Sequence, residues 1–185
     1  MELRLLLSSL FLYNEIMNKN LTHVSHDCIP IFIKEDSHIL ILGSLPSVKS
    51  REEGFYYAHK QNRFFKVLAH IHQEDEPISI EERKNFLIAH HIALYDVIYE
   101  CDICGSSDSS ITNAKPIDIE SVLRKYPNIK VIAINGGKAK SLFDKYLLNK
   151  VSKGVCVIYL PSTSPANAKM SINNLIHYYS ILVNL

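Results

Sequence analysis

The sequence lacks the features that most often mark a membrane protein, a repeat protein or a metalloprotein. Its 185 residues contain no internal repeat, no low-complexity tract and no apolar run long enough to cross a bilayer. Of its four cysteines, only Cys101 and Cys104 are closely spaced, and this lone C-x-x-C has no second pair to complete a zinc site. We therefore expect reduced thiols in a cytoplasmic protein without metal or cofactor, with a metal or redox role for the pair as the alternative.

The sequence also lacks the common nucleotide-binding and hydrolase signatures. The segment that begins Gly43-Ser-Leu is not the G-x-G-x-x-G fingerprint, and Pro46 removes a backbone donor that a phosphate loop would use. The segment 135–138 (NGGK) lacks the first glycine of a P-loop, because Ile132 stands at that position. No G-x-S-x-G segment occurs, so the nucleophile of an α/β-hydrolase is missing as well.

Charge is nearly balanced over the whole chain but is unevenly distributed along it. The sequence has 20 basic and 19 acidic residues, and its hydrophobic share of 47% is typical of a globular protein. From Ser121 onward, nine Lys or Arg residues stand against one acidic residue, Asp144. This asymmetry favours a polyanionic partner for one surface, although solvated helix faces would give the same pattern.

Four short apolar runs predict buried β-strands. They cover residues 37–42, 92–97, 128–134 and 155–160. Three of them end directly before Gly43, Asn135 or Pro161, which are residues typical of turns. Their nearly continuous apolar character favours a parallel sheet that is covered on both faces.

Helical patterns alternate with these strands. They cover residues 62–72, 79–90, 117–125, 138–148 and 169–183. The second begins with a capping box, in which Glu82 follows Ser79 by three residues. The alternation predicts an α/β fold, a three-layer α/β/α domain around a central, mainly parallel four-stranded sheet.

We expect a single domain over residues 26–185, because no linker divides this part of the chain. Residues 1–25 are expected to form an N-terminal extension, with Met17 as an alternative first residue of the natural protein. The polar segment from Tyr99 to Pro116, which contains Asp108 and Ser109, is predicted to be a long loop that is either functional or mobile.

Small and polar residues follow three of the predicted strands. These segments are residues 43–50, 135–138 and 160–167. In an open parallel sheet, ligands bind outside the carboxyl ends of the strands. We therefore expect the three segments to lie on one rim of the sheet and to form the functional site.

The segments resemble motifs of the uracil-DNA glycosylase superfamily. Residues 43–65 (GSLPSVKSREEGFYYAHKQNRFF) resemble its first motif region, above all in the hypoxanthine-DNA (deoxyinosine) glycosylase branch. The mismatch-specific uracil and thymine glycosylases are similar at equal spacing. Residues 160–167 (LPSTSPAN) resemble the second motif, and residues 132–137 (IAINGG) occupy the place of the strand between the two. The resemblance covers about residues 30–185 and implies that the chain hydrolyses a glycosidic bond in DNA.

One position departs from the pattern of the mismatch-specific relatives. Their first motif has a water-positioning asparagine at its third position, where this sequence has Leu45, which can neither hold water nor accept a proton. The hypoxanthine branch also lacks that asparagine and relies on one further along the chain. The resemblance therefore assigns the catalytic role to Asn62, for which a purely structural role as a helix N-cap is the alternative.

The chemistry of base excision predicts what the remaining site residues do. The target base must be flipped out of the duplex into a pocket that supplies stacking and hydrogen bonds, and fixed dipoles can stabilise the negative charge that cleavage leaves on it. By the family's spacing, Tyr57 lies over the base. The expected base pocket comprises Gly43, Ser44, Leu45, Pro46, Ser47, Tyr56, Tyr57, His59 and Asn135. The expected DNA contacts are a minor-groove loop of Pro161, Ser162, Thr163, Ser164 and Pro165, together with Lys49 and Lys138.

Each of these assignments has a structural alternative. Tyr56 and Tyr57 could be core aromatics, and His59 could be an ordinary loop residue. Asn135 could simply end its strand in a turn with Gly136. The serines of the second motif could be turn residues between prolines.

We expect a monomeric, monofunctional glycosylase that acts on double-stranded DNA and leaves an abasic site. A glycosylase that also nicks the strand needs a desolvated amine nucleophile, whereas Lys49, Lys60 and Lys66 lie in polar stretches typical of phosphate contacts. Hypoxanthine is the expected base, and a uracil or mismatch-specific glycosylase is the first alternative. The others are a non-catalytic binder of damaged DNA with the same fold and an enzyme that acts on free nucleosides.

Overall fold

The computed structural model describes residues 21–104 and 110–184. Within these ranges the strands are β1 Leu21–Ser25, β2 Ile39–Gly43, β3 Ile92–Asp96, β4 Ile98–Cys104, β5 Thr112–Pro116, β6 Val131–Asn135 and β7 Cys156–Leu160. The α-helices of the same ranges are α1 Val48–Glu53, α2 Phe64–His72, α3 Ile80–Ala89, α4 Ile119–Lys125, α5 Gly137–Tyr146 and α6 Ile172–Tyr179. Residues 1–20 of the predicted extension, and Asp108 and Ser109 of the predicted loop, lie outside the described residues.

The central sheet consists of four parallel strands in the order β3-β2-β6-β7. Each strand corresponds to one of the predicted apolar runs, so the predicted fold class is confirmed. The inner strands β2 and β6 are buried along their whole length, as expected when helices cover both faces. The register pairs Gly43 with Asp96 and Asn135 with Leu160, so that the four strands end at the same edge of the sheet.

A second sheet replaces most of the loop that was predicted for residues 99–116. It is antiparallel, with the order β1-β4-β5, and β1 pairs with β4 along its whole length. In β4, Ile98, Cys101 and Ile103 are buried, but the intervening polar residues and two register shifts disguise this pattern in the sequence. Strand β1 lies inside the predicted extension, whose residues 21–25 are therefore part of a sheet.

The helices match the predicted ones with shifted ends. The capping box of α3 is present, because the Ser79 hydroxyl accepts from the Glu82 N–H and the Glu82 carboxylate accepts from the Ser79 N–H. Helix α6 is shorter than predicted and continues as a 3-10 helix over Ser180–Asn184. Helix α1 was not predicted. It begins after Ser47, whose hydroxyl accepts from the Ser50 N–H.

Helices cover both faces of the central sheet, which confirms the three-layer arrangement. On one face, α2 and α6 contribute Phe65, Leu68 and Leu175 to a common core cluster with the strands. On the other face, α4 and α5 contribute Leu123 and Phe143 to a second cluster. Burial of each such side chain contributes about 1.5–3 kcal/mol. Among the described residues, no helix combines the length and the apolar character needed to span a membrane.

Candidate active site

A cavity of about 850 Å³ opens at the carboxyl edge of the central sheet. All three segments that were predicted to share one rim contribute to its wall. The predicted residues that line it are Gly43, Ser44, Leu45, Pro46, Ser47, Lys49, Tyr56, Tyr57, His59, Asn62, Asn135, Lys138, Ser162, Thr163 and Ser164. Of the predicted site residues, Pro161 and Pro165 flank the wall without lining it.

The segment after β2 forms a short turn and then enters α1. Leu45 is half-buried and packs against the core cluster on the side of α4 and α5. Pro46 is buried, and the Ser47 hydroxyl accepts from the Ser50 N–H at 3.1 Å. Leu45 therefore contributes shape to the cavity and no hydrogen bond.

Gly43 has to be a glycine because a carboxyl group occupies the space beside its α-carbon. A Cβ at this position would lie 2.2 Å from Asp96 Oδ1 and 3.6 Å from the Tyr57 hydroxyl oxygen. Asp96 is the last residue of β3, is 5% exposed and lines the cavity. It was not among the predicted site residues. The signal that could have found it is an acidic residue at the carboxyl end of an apolar run.

The two adjacent tyrosines lie in different environments. Tyr56 is buried, and its hydroxyl donates to the Pro30 carbonyl oxygen at 3.2 Å. Tyr57 is half-buried, and one face of its ring stacks on Phe64 with 3.7 Å between the ring centroids. Burial and the charge of Asp96 raise the pKa of Tyr57 well above its ordinary value, although the Asn135 amide acts in the opposite direction. The Tyr57 hydroxyl therefore keeps its proton and remains a donor.

Asn62 lies directly before α2, with its side chain held by the backbone. Its Oδ1 accepts from the Phe64 N–H at 3.0 Å. Its own N–H donates to the His59 carbonyl oxygen at 2.8 Å. Among the described residues, nothing accepts a hydrogen bond from its Nδ2. The capping contact thus leaves the amide nitrogen able to donate to a ligand in the cavity.

His59 and Lys49 line the cavity from exposed or partly exposed positions. The His59 Nδ1 accepts from the Gln61 N–H at 3.2 Å, which is the loop contact expected of a structural histidine. The Lys49 ammonium lies 2.9 Å from Glu53 and 3.3 Å from Glu52. A DNA phosphate at Lys49 would compete with these two carboxylates.

Asn135 fastens the second-motif loop to the sheet. Its Nδ2 donates to Thr163 Oγ1, and its Oδ1 accepts from the Thr163 N–H, both at 3.2 Å. Thr163 is fully buried, which corrects its predicted place on the DNA-contacting surface. The residue is an internal anchor, whereas its neighbours Ser162 and Ser164 are half-buried.

Gly136 allows this loop to approach the start of α5. Its φ of 103° lies in the left-handed region, and a Cβ would lie 2.9 Å from the Ser162 Cβ. Helix α5 has no side-chain cap, and its first residues, Gly137 and Lys138, line the cavity. Its unpaired N–H groups and the Lys138 ammonium together favour an anion at this end of the cavity.

Arg63 ties the second-motif loop to the start of α2 and was not predicted as a site residue. Its guanidinium donates to four carbonyl oxygens, those of Thr163 at 3.4 Å, Ser164 at 2.9 Å, Asn167 at 3.1 Å and Met170. Its backbone N–H also donates to the Thr163 carbonyl oxygen. Because Arg63 directly follows Asn62, these bonds set the position of Asn62 relative to the loop.

All four cysteines lie within the described residues, and none forms a disulfide bond. Cys101 is buried in β4, and Cys104 is partly buried at the end of the same strand. Among the described residues, no group of three or more His, Cys, Asp or Glu side chains is arranged to hold a metal ion.

The chain matches the family model "Uracil DNA glycosylase superfamily" over residues 30–182. Two curated relatives carry the name hypoxanthine DNA glycosylase. One, from Methanosarcina acetivorans, is 32% identical over 145 residues, which are 78% of this chain and 89% of the relative. The other, from Methanosarcina barkeri, is 36% identical over 112 residues, which are 60% of this chain and 70% of the relative.

A solution NMR structure of a candidate uracil DNA glycosylase from Methanosarcina acetivorans has a similar fold. The TM-score is 0.73 at 29% sequence identity, and the match covers 84% of this chain and 95% of that one. The similarity therefore extends over nearly the whole of the solved protein.

Proposed function

The chain belongs to the uracil-DNA glycosylase superfamily, and on that basis we propose that it excises hypoxanthine from deoxyinosine in DNA. Both curated relatives described above are named for this reaction. The main structural support for the proposal is a single cavity that is lined by Asn62 and by both motif segments at the edge of the sheet. Its volume of about 850 Å³ is sufficient for a flipped nucleotide.

The cavity offers what cleavage of the glycosidic bond requires. The bond breaks as positive charge develops on the sugar and negative charge on the leaving base. Phe64 covers one face of the Tyr57 ring, and we propose that the flipped base stacks on the other. Because stacking and edge hydrogen bonds offset the cost of flipping, a rigid aromatic wall favours the extrahelical state.

Asn62 is the proposed catalytic residue. Its Oδ1 is held by the Phe64 N–H, so the amide plane is fixed and its Nδ2 is directed by the same bond. A preorganised N–H donor stabilises charge on a leaving base or positions the attacking water without further reorganisation. Leu45, at the position where the mismatch-specific relatives have asparagine, has no polar atom for either task.

The proposed DNA contacts lie beside the cavity. Ser162, Ser164 and the two flanking prolines belong to a loop that Asn135 and Arg63 hold rigidly. The start of α5 and Lys138 are suited to a backbone phosphate. The hydrogen bond from Lys49 to Glu53 raises the pKa of Lys49, so its amine stays protonated and is not a nucleophile. We further propose that the enzyme is monofunctional and acts as a cytoplasmic monomer.

The test is base release from defined DNA. Duplex oligonucleotides that carry one deoxyinosine or one deoxyuridine are incubated with the protein and then treated with alkali, which breaks the strand at abasic sites. We expect a break at deoxyinosine after alkali and an intact strand without it. Cleavage only at deoxyuridine would favour the uracil-specific alternative, and cleavage before alkali would contradict the monofunctional mechanism.

Two further measurements separate the remaining alternatives. Salt-dependent binding of the duplexes without release of either base would favour a non-catalytic DNA-binding protein. Cleavage of free inosine but not of DNA would favour an enzyme that acts on nucleosides. Either result would overturn the proposed function.

A further inference from the structure

A buried histidine stands behind the carboxyl group of Asp96. His26 follows β1, its side chain is 0% exposed, and its Nε2 lies 3.3 Å from Asp96 Oδ2. Its Nδ1 lies 2.8 Å from the Ile29 carbonyl oxygen. The rings of Tyr56, Tyr95 and Tyr99 surround it, with the Tyr95 centroid 4.6 Å away. The imidazole therefore has one fixed orientation.

These contacts determine how the carboxyl group of Asp96 is oriented. A carbonyl oxygen only accepts hydrogen bonds, so Nδ1 carries its hydrogen toward Ile29. Nε2 lies 3.3 Å from Oδ2, so this carboxyl oxygen faces His26 and the other, Oδ1, faces Gly43. The oxygens of an ionised carboxyl group only accept hydrogen bonds, so an ionised Asp96 presents an acceptor at Oδ1.

Oδ1 is the carboxyl oxygen of Asp96 that lies beside Gly43, and both residues line the cavity. It lies where a Cβ of Gly43 would be, and the Tyr57 hydroxyl oxygen is within 4 Å of the same point. The carboxyl group lines the cavity, whereas its Oδ2 atom is fully buried against His26. His26 thus holds Oδ2 away from the cavity and leaves Oδ1 of Asp96 beside Gly43.

We propose that Asp96, held by His26, is the specificity residue that detects deamination: its Oδ1 accepts a hydrogen bond from the ring N–H of the flipped base. This proposal rests on the proposed function. Deamination converts adenine to hypoxanthine and cytosine to uracil, and in each case a ring nitrogen that was an acceptor gains a hydrogen. A carboxylate acceptor bonds to the deaminated ring and is repelled by the lone pair of the normal one.

The expected consequence is selectivity between bases that differ at this edge. Guanine and thymine also carry a ring N–H, so the shape of the cavity and not Asp96 has to exclude them.

The test compares deoxyinosine with deoxynebularine, the purine nucleotide that lacks both the ring N–H and the oxygen, opposite the same base in one duplex. We expect the wild-type protein to release hypoxanthine about 100-fold faster than purine in single-turnover reactions. Asp96→Ala should slow deoxyinosine cleavage by about 100-fold and change deoxynebularine cleavage by less than about threefold. Asp75→Ala, which removes an exposed carboxylate, is the matched control.

Two further variants keep the test decisive if Asp96→Ala does not fold. Asp96→Asn can keep its carbonyl oxygen over Gly43 while its NH2 donates to His26, so we expect deoxyinosine cleavage within about tenfold of wild type. His26→Phe retains the ring contacts and loses the polar contact that orients the Asp96 carboxyl group, so it should lower the deoxyinosine rate more than the deoxynebularine rate. The ratio of the deoxyinosine rate to the deoxynebularine rate would stay at its wild-type value if His26 were merely structural.

Three results would overturn the proposal. Equal wild-type rates on the two bases would mean that the ring N–H is not read. An equal loss on both bases in Asp96→Ala, or no loss on either, would remove Asp96 from specificity while leaving the proposed function intact. Absence of base release by the wild-type protein from any duplex would overturn both proposals together.

Discussion

Asn62 has two tasks that different atoms of its side chain carry. Its Oδ1 accepts from the N–H of Phe64, the first residue of α2, and its Nδ2 is the group proposed to serve the reaction. Substitution by alanine removes both, so loss of activity alone would not separate catalysis from stability. A variant is needed that retains an acceptor for the Phe64 N–H and lacks the amide nitrogen.

Serine at this position is such a variant, since its hydroxyl can accept from a backbone N–H as an asparagine side chain does. We expect Asn62→Ala and Asn62→Ser both to slow single-turnover base release by at least about tenfold, the effect of removing one well-placed polar donor. Only Asn62→Ala should lower the free energy of unfolding, by about 1 kcal/mol in urea denaturation. Asn173→Ala, at an exposed position of α6, is the control. A wild-type rate in Asn62→Ser would exclude the amide from the mechanism.

At the scale of secondary structure, the second-motif loop and α2 behave as one unit because Arg63 joins them. A planar guanidinium can reach several carbonyl oxygens at once, whereas a lysine ammonium in the same place reaches fewer. Four loop carbonyl oxygens accept from this one side chain. The loop is therefore ordered before DNA arrives, which reduces the entropy lost on binding.

Arg63→Lys should loosen this unit without removing its charge. We expect the Kd for a duplex that contains an abasic site to rise about tenfold, and the rate at saturating enzyme to fall less, because the loop is proposed to contact DNA away from the reacting bond. Binding is measured by fluorescence anisotropy and the rate by single-turnover assay. Arg124→Lys, which makes the same exchange at an exposed position of α4, is the control. Unchanged affinity would mean that the four bonds only stabilise the fold.

The contact between the ends of α2 and α3 predicts a pH dependence of stability. His72 stacks on His90 with 3.6 Å between the ring centroids. Burial, and secondly the charge of His90, lower the pKa of His72 below its ordinary value. At a pH between the lowered value and that of the unfolded chain, the unfolded state binds more protons, so stability rises with pH in this window and is lost as the pH falls.

We therefore expect the urea midpoint of the wild-type protein to be lower at about pH 5.5 than at about pH 7.5. His72→Phe keeps an aromatic ring beside Phe86 and removes the titrating group, so the difference between the two midpoints should shrink. His177→Gln, at an exposed position of α6, should leave it unchanged. The same difference in wild type and His72→Phe would exclude this histidine as its source.

At the scale of the whole molecule, net positive charge is concentrated in the part of the chain that follows the second sheet. The nine basic residues after Ser121 include Lys138, which lines the cavity at the start of α5. Others lie elsewhere, such as Lys153 in the turn before β7, at the opposite end of that strand from the cavity. Only basic residues that line the cavity, such as Lys138, are expected to release counterions when DNA binds.

Lys138→Gln should therefore weaken DNA binding uniformly across sequences and reduce the slope of log K against log salt by about 1. Lys153→Gln has the same change of charge and should leave the slope unchanged. The measurement is anisotropy titration of an abasic-site duplex at several salt concentrations. Equal slopes for Lys138→Gln and the wild-type protein would place the DNA backbone elsewhere.

The central sheet, both helical layers and the meeting of three segments at one edge of the sheet followed from local sequence. Apolar runs and helical periodicity report directly on burial, and Gly43, Asn135 and Pro161 mark strand ends because their backbone preferences are local properties. The second sheet could not be predicted from local sequence. Its β4 mixes polar and apolar residues, and its pairing partner β1 is more than seventy positions away in the chain, with Val24 opposite Cys101.

The sequence by itself determined the fold class and which segments meet at the cavity, since both depend on patterns within short stretches of chain. Only the tertiary structure decided what individual side chains do there. It buries Thr163 under Asn135, sets Arg63 on four carbonyl oxygens and brings His26 behind Asp96. These contacts join residues tens of positions apart, and an acceptor or donor acquires its role only from the partner that folding places opposite it.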